Sequence, residues 1–178
     1  SSGIGRELAK IHASRGGDLV IVARRRDELE VLKEEITRTF SVEVIIVLKD
    51  LSIPGAAQEI FQEVQAQGIQ IDYLINNAGF GGHGFFHERE LVKDEAMIQV
   101  NILALTALTR LFLPDMICRG SSRILNVASA AAFLPGPLQA VYYATKAYVL
   151  SFSQAIAEEL AGTGVTVTAL CPEIGRAH

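Results

Sequence analysis

With 178 residues, 49% hydrophobic and 20% charged, the chain is long enough for one domain with a full core and excludes an intrinsically disordered protein. A net charge of −4 argues against a general nucleic-acid-binding surface. No apolar run reaches the ~18 uninterrupted residues of a membrane span, since charges break each candidate. The two cysteines, Cys118 and Cys171, lack metal or disulfide-framework spacing and read as buried thiols of a reducing, cytoplasmic compartment.

The chain opens on Ser1-Ser2-Gly3-Ile4-Gly5, a turn leading into a helical pattern from Ile4 to Arg15. Glycine there lets the backbone approach a pyrophosphate, which the free N–H groups and dipole of the helix N-terminus favour. Any strand-to-helix turn uses glycine, so this turn alone is a weak signal. Asp18 to Ala23 is a short β-branched strand ended by Arg24-Arg25-Arg26, and Asp27 to Thr39 is a helix with Leu29, Leu32 and Ile36 at helix spacing. The residues after that strand occupy the place where a dinucleotide fold puts its ribose reader. A carboxylate would bind the ribose hydroxyls of NAD, whereas the guanidinium groups found here suit the 2′-phosphate of NADP. A solvated basic helix start is the alternative.

Val42 to Leu48 is the next strand, followed by a helix opened by Ser52 and Pro54 that runs to about Gln67. Asp72 to Asn76 is a strand that enters the glycine-rich loop Asn77 to Gly84. A single long helix is expected from Val92 to Met116, a strand from Arg123 to Val127, a helix from Leu138 to Ala161 and a last strand from Val165 to Leu170. The strands are continuous apolar runs, as in strands covered on both faces. Their alternation with helices implies an α/β domain with a doubly wound parallel sheet.

Ser129 lies 13 residues before Tyr142, which lies four before Lys146. A hydroxyl that holds a carbonyl oxygen, a phenol that exchanges a proton with it and a cation that lowers the phenol's pKa are what carbonyl reduction needs. A Tyr and a Lys four apart on an amphipathic helix have a purely structural explanation as well. His83 and His87 are also four apart, but they sit in a loop without a Cys or carboxylate cluster, so no metal site is expected. Phe80, Phe85, Phe86, Phe133 and Leu134 either wall a substrate pocket or belong to the core.

Together these pieces resemble the short-chain dehydrogenase/reductase family as far as Pro172. Ser1-Ser2-Gly3-Ile4-Gly5 is similar to the second half of the family's T-G-x-x-x-G-x-G turn, and Asp50-Leu51 to its Asp-Leu/Val pair beside the adenine ring. Asn76-Asn77-Ala78-Gly79 looks like the N-N-A-G motif, Asn101 falls where the family keeps an asparagine, and Ser129, Tyr142 and Lys146 complete the set. The resemblance implies a Rossmann-like fold and interconversion of a small-molecule carbonyl and alcohol, with NADP(H) preferred over NAD(H). It implies cofactor contacts from the Ser1–Gly5 turn, Arg24, Asp50 and Leu51, and also from Asn77, Ala78, Gly79, Tyr142, Lys146 and Pro172. Ser129 would donate to the substrate oxygen and Tyr142 deliver the proton. Lys146 would bind the nicotinamide ribose and lower the Tyr142 pKa. Asn101 would bend its helix through a backbone carbonyl and hold a water linking Lys146 to solvent. Tyr143 projects about 100° further round the helix and packs or lines the cleft.

Apolar residues on more than one face of the two long helices, among them Leu103, Leu108, Val149 and Phe152, imply in this family a homodimer or homotetramer. The family also expects a strand and a glycine before Ser1, and a glycine after Pro172. The chain instead reads Glu173-Ile-Gly-Arg-Ala-His178, which back-translates into a common sequencing-adapter start. The expectation is therefore an incomplete domain over residues 1–172 and a non-native tail over 173–178. A non-catalytic NADP(H) sensor or scaffold, or an inactive piece of such an enzyme, are the alternatives to a working reductase.

Overall fold

The computed structural model describes residues 3–173, so the expectations for Ser1, Ser2 and the tail beyond Glu173 lie outside the described residues. The described chain divides into two compact units, the first ending at Leu51 and the second beginning at Ser52.

In the first unit, α1 (Gly3–Ala13) and β1 (Leu19–Ala23) are followed by α2 (Arg26–Thr39) and β2 (Val44–Leu48). The two strands pair in parallel, from Leu19 opposite Val44 to Ala23 opposite Leu48. Leu29, Leu32 and Ile36, spaced to share one face of α2, pack with Ala9, Ala13, Ile21 and Val44 into the unit's core. Glu35 joins the two helices, accepting from Arg6 and pairing with Lys10 at 2.7 Å. Those two bonds, Lys10 first, hold its carboxyl below the ordinary carboxylate range.

The second unit holds α3 (Ala56–Ala66), β3 (Tyr73–Asn76), α4 (Leu91–Ile98), α5 (Leu105–Arg119), β4 (Ser122–Val127), α6 (Ala140–Glu159) and β5 (Val165–Leu170). Its sheet runs β3-β4-β5, all parallel. The expected Rossmann-like α/β architecture with parallel strands is what forms.

Three expectations need correction. The single helix from Val92 to Met116 is broken by a π-helical turn, Gln99–Ala104, that carries Asn101. Apolar spacing does not show such a turn here, because Val100, Ile102, Leu103, Ala104 and Leu105 make the stretch apolar on more than one face and hide the shift in phase. The strands are not all covered on both faces. Asn76 faces α5, where it bonds Thr109, so Tyr73 and Ile75 point the other way, 52% and 37% exposed. Cys118 is exposed rather than buried, in the last turn of α5 beside the half-exposed Ile117, while Cys171 is half-buried.

The continuous helical stretch Leu91–Arg119 is, by length and composition alone, long and apolar enough to cross a membrane, a point that the count of uninterrupted apolar residues passes over. Within the protein it is a packed helix whose buried Asn101 and Thr109 find hydrogen-bond partners. Thr109 belongs to a closed polar chain through the unit's core. Asn76 Nδ2 donates to Thr109 Oγ1 (3.0 Å) and to Asn126 Oδ1 (2.9 Å), and Asn126 Nδ2 donates to Ser153 Oγ (2.9 Å). Ser153 in turn donates to Val149 O at 2.6 Å. These bonds tie β3, β4, α5 and α6 together immediately below the loop that leaves β3.

Candidate active site

Beyond β4 the chain turns at Ser129, which is 3% exposed and caps the short 3₁₀ turn Ala130–Phe133, accepting from Ala131 N at 3.1 Å. A hydroxyl has one donor and two acceptor positions. The cap uses an acceptor, and among the described residues none takes the Ser129 proton, which leaves it available to a ligand. Ala130 N bonds Pro172 O at 2.9 Å, which places Pro172 against the same turn.

Helix α6 presents Tyr142 and Lys146 one turn apart. Lys146 is 5% exposed, and its Nζ donates to Val127 O at 2.8 Å and sits 5.8 Å from the centre of the Tyr142 ring. Burial pushes the Lys146 ammonium down to about 8, an effect partly opposed by Cys171 nearby. One of the three ammonium donors is committed to Val127. No described residue bonds the Tyr142 hydroxyl.

Asn101, 1% exposed, uses its whole side-chain amide. Nδ2 donates to Phe80 O and to Thr145 Oγ1, both at 3.0 Å, and Oδ1 accepts from Phe80 N at 3.1 Å. Thr145 passes the connection on, donating to Tyr142 O at 2.7 Å. The π turn thus fastens the loop after β3 to the first turn of α6. Nothing in the residue pattern marks Thr145 except that a polar residue sits on the buried side of an otherwise apolar helix.

The loop after β3 is rich in glycine because its backbone lies directly on these side chains. A Cβ on Gly79 would sit 3.1 Å from Asn101 Oδ1 and 3.4 Å from Lys146 Nζ, and one on Gly81 would sit 3.3 Å from the Tyr142 ring. Gly79, Lys146, Asn101 and Tyr142 are therefore brought together. Ser129 joins them through the end of β4, where Lys146 bonds Val127 two residues earlier. Asn77 and Ala78 lie at the start of this loop, with Asn77 N bonded to Ile75 O at 3.1 Å.

In the first unit, Gly3 opens α1 with Ile4 and Gly5 in its first turn, and Asp50 and Leu51 follow β2, both half-buried. Arg25 pairs with Glu28 at 2.5 Å and Arg26 lies 3.7 Å from Glu30, whereas no described residue pairs with the exposed Arg24. Arg24 is thus the free guanidinium of the three among the described residues.

The apolar side chains around the site are not core. Phe80, Phe85, Phe86, Phe133 and Leu134 are 40%, 57%, 69%, 64% and 67% exposed. Tyr143 packs its ring over Gly136 and meets Tyr142 edge to face at 6.1 Å. Among the described residues no group of three His, Cys, Asp or Glu could hold a metal ion. An open groove of about 500 Å³ lies elsewhere, lined by Ala157, Leu160, Val165 and Val167. It sits roughly 22 Å along α6 from Tyr142 and brings no charged side chain to bear.

Parallel strands, a helix-borne Tyr–Lys pair and a capped serine at the end of a strand are the arrangement of the Rossmann-like, nucleotide-binding oxidoreductases. Residues 1–176 match the short chain dehydrogenase family, and the chain belongs to it. The very-long-chain 3-oxoacyl-CoA reductase of Bos taurus is 34% identical over 178 residues, covering 97% of this chain and 56% of that protein. The chain thus spans about half the length of the curated relatives it matches. Among solved structures, the bulky-bulky ketone specific alcohol dehydrogenase from Comamonas testosteroni superposes with a TM-score of 0.92 at 31% identity, over 98% of this chain and 70% of that one. A short-chain dehydrogenase from Sphingobium yanoikuyae in complex with NADPH gives 0.91 at 34% identity, over 97% and 67%.

Proposed function

We propose that the protein interconverts a carbonyl and an alcohol with NADP(H), using Tyr142 as general acid and base. The observation that carries this reading is the pattern of free donors: a buried serine with its proton uncommitted, a phenol bonded to no described residue, and a buried ammonium within reach of that phenol's ring. NADP(H), when bound, supplies or accepts the hydride at the substrate carbon. Ser129 donates to the substrate oxygen and holds the carbonyl in place. Tyr142 gives its proton to that oxygen as negative charge develops on it. The Lys146 ammonium stabilises the phenolate left behind, and its remaining donors suit the hydroxyls of the nicotinamide ribose. Gly79, whose missing side chain leaves open the space beside Lys146, fits close approach by such a ligand. Asn101 holds the loop and α6 in register through Phe80 and Thr145.

Arg24, which pairs with no described residue, supports NADP(H) over NAD(H), as does the NADPH bound to the Sphingobium yanoikuyae relative. The exposed Phe80, Phe85, Phe86, Phe133 and Leu134 support an apolar carbonyl substrate, in keeping with the ketone and oxoacyl specificities in the names of the relatives. Exposed Ile98, Leu103 and Ile117 on the long helical stretch support a homodimer or homotetramer, and the free cysteines support the reducing environment of the cytoplasm. Sedimentation of the complete gene product as a strict monomer would remove the assembly from the proposal.

The direct test is a screen of ketones and aldehydes for oxidation of NADPH and NADH by the complete gene product. NADPH-dependent turnover of apolar ketones is expected, with Arg24→Glu shifting preference towards NADH. Tight NADPH binding without turnover of any carbonyl would replace the enzyme by a sensor or scaffold.

A further inference from the structure

We propose that Arg89 is a positioning residue for proton transfer, clamping the glycine loop Gly79–Gly84 against Tyr142. The inference rests on the reading of Tyr142 as the acid, and it concerns a residue that acts only through the loop.

A loop with glycine at positions 79, 81, 82 and 84 has more backbone freedom to lose than any other of its length. Three anchors order it. Asn101 holds Phe80 by both N and O, and Leu138 O accepts from Gly84 N at 2.9 Å. The third anchor is Arg89, whose Nη1 donates to His83 O at 3.0 Å. The guanidinium is in turn fixed by Asp94, whose Oδ1 accepts from Nε at 2.9 Å and Nη2 at 2.7 Å. Side-chain exposures of 14% and 7% make this a covered pair rather than a surface one. Surface pairs contribute little, but removing one partner of a buried pair leaves the other charge uncompensated.

The stacking is continuous from the clamp to the phenol. A Cβ on Gly82 would collide with the Arg89 guanidinium, and one on Gly84 would lie 3.4 Å from Arg89 Cγ, so the loop backbone lies flush on this side chain. Gly81, the next residue back, presents its backbone to the Tyr142 ring, where a Cβ would lie 3.3 Å from Cδ2. Arg89, Gly82, Gly81 and Tyr142 thus form consecutive layers. The planar fork of arginine bonds Asp94 and His83 at once, which a lysine ammonium cannot reproduce with the same geometry. Small misplacement of a reacting group costs catalysis far more than it costs binding.

The test compares Arg89→Met, Arg89→Lys, Arg89→Ala and Asp94→Asn in the complete gene product, with Tyr142→Phe alongside. Readouts are kcat, the KM for NADPH and amide hydrogen exchange at residues 81–84. Arg89→Met is expected to lower kcat ~10-fold or more while the KM for NADPH stays within about twofold. It should also speed exchange of the loop amides, with Arg89→Lys and Asp94→Asn intermediate. Guanidinium ion at non-denaturing concentration should restore part of the kcat of Arg89→Ala, where methylammonium does not. Loop exchange unchanged in both Arg89→Met and Asp94→Asn would overturn the proposal, as would a fall in kcat that matches only the loss of folded protein. Full turnover by Tyr142→Phe would instead defeat the reading of Tyr142 as the acid. The exchange data would still decide whether Arg89 orders the loop.

Discussion

Two sets of polar side chains sit on the same strands and helices of the second unit, and they differ in how their hydrogen-bonding groups are committed. Asn76, Thr109, Asn126 and Ser153 are at most 7% exposed and bond one another: Asn76 donates to Thr109 and to Asn126, Asn126 to Ser153, and Ser153 to Val149 O. Ser129 and Lys146 are just as buried, yet each has one bond that fixes it and further donors that no described residue takes up. Lys146 and Ser153 lie seven residues, about two turns, apart on α6, so one helix face carries both kinds of group. A buried polar group left without a partner costs about 1–3 kcal/mol, which makes the closed chain stabilising and chemically inert. The open set is less stable by the same reasoning, and for that reason it can bind a ligand. Burial of a polar residue does not distinguish structure from chemistry here; the uncommitted donors do.

Substitutions separate the two sets. Tyr142→Phe should reduce carbonyl turnover ~100-fold or more while leaving the urea midpoint nearly unchanged, because the phenol bonds no described residue. Steady-state kinetics beside a denaturation curve checks both halves. Asn126→Ala should show the reverse, a loss of roughly 3 kcal/mol from a cavity and two abandoned partners, with turnover per folded molecule changed only a few-fold. Equal losses of activity and stability in both variants would erase the distinction.

The sign of the pH effect sharpens it further. Lys146 titrates near 8 in the folded chain against an ordinary 10.5, so between those values the unfolded chain holds the extra proton. Stability therefore rises with pH across that window, and below it the buried charge costs on the order of 3 kcal/mol. Lys146→Met should flatten this rise, as read from melting curves between the two pH values, and should lose turnover as well. The smallest effect belongs to Glu35 in the first unit, whose carboxyl is lowered mainly by Lys10 and then by Arg6. Its contribution is present above the ordinary carboxylate range and is lost as pH falls through the lowered value. Glu35→Gln should remove that part of the acid dependence, with a small loss of stability at neutral pH, where α1 loosens on α2, that disappears in acid.

Much of the fold is legible in the residues because it is written in short-range periodicity. β5 runs from Val165 to Leu170 as its apolar run indicates, and α2 begins one residue earlier than expected and ends at Thr39. The relation of Tyr142 to Lys146 is legible for the same reason, since one helix carries both, whereas Ser129 joins them in the sequence only through the resemblance to the family. What escapes is set by contacts between distant residues. The π turn at Gln99–Ala104 carries an asparagine bonded to Phe80, 21 residues away, and the closed chain joins Asn76 to Asn126, 50 residues apart. Arg89 has no local signature beyond a carboxylate five residues on, and the exposure of Phe80 or Cys118 depends on what the surrounding elements cover.

The central claim, that the free donors of Ser129, Tyr142 and Lys146 serve hydride-coupled protonation of a carbonyl, has one most direct measurement. It is the fate of label from NADPH carrying deuterium at the transferring position, followed during a single turnover of an apolar ketone by the unaltered protein and by Tyr142→Phe. The expected alcohol carries deuterium on the former carbonyl carbon and forms ~100-fold more slowly in the variant. Alcohol without the label, or labelled alcohol formed equally fast by both proteins, would contradict the claim.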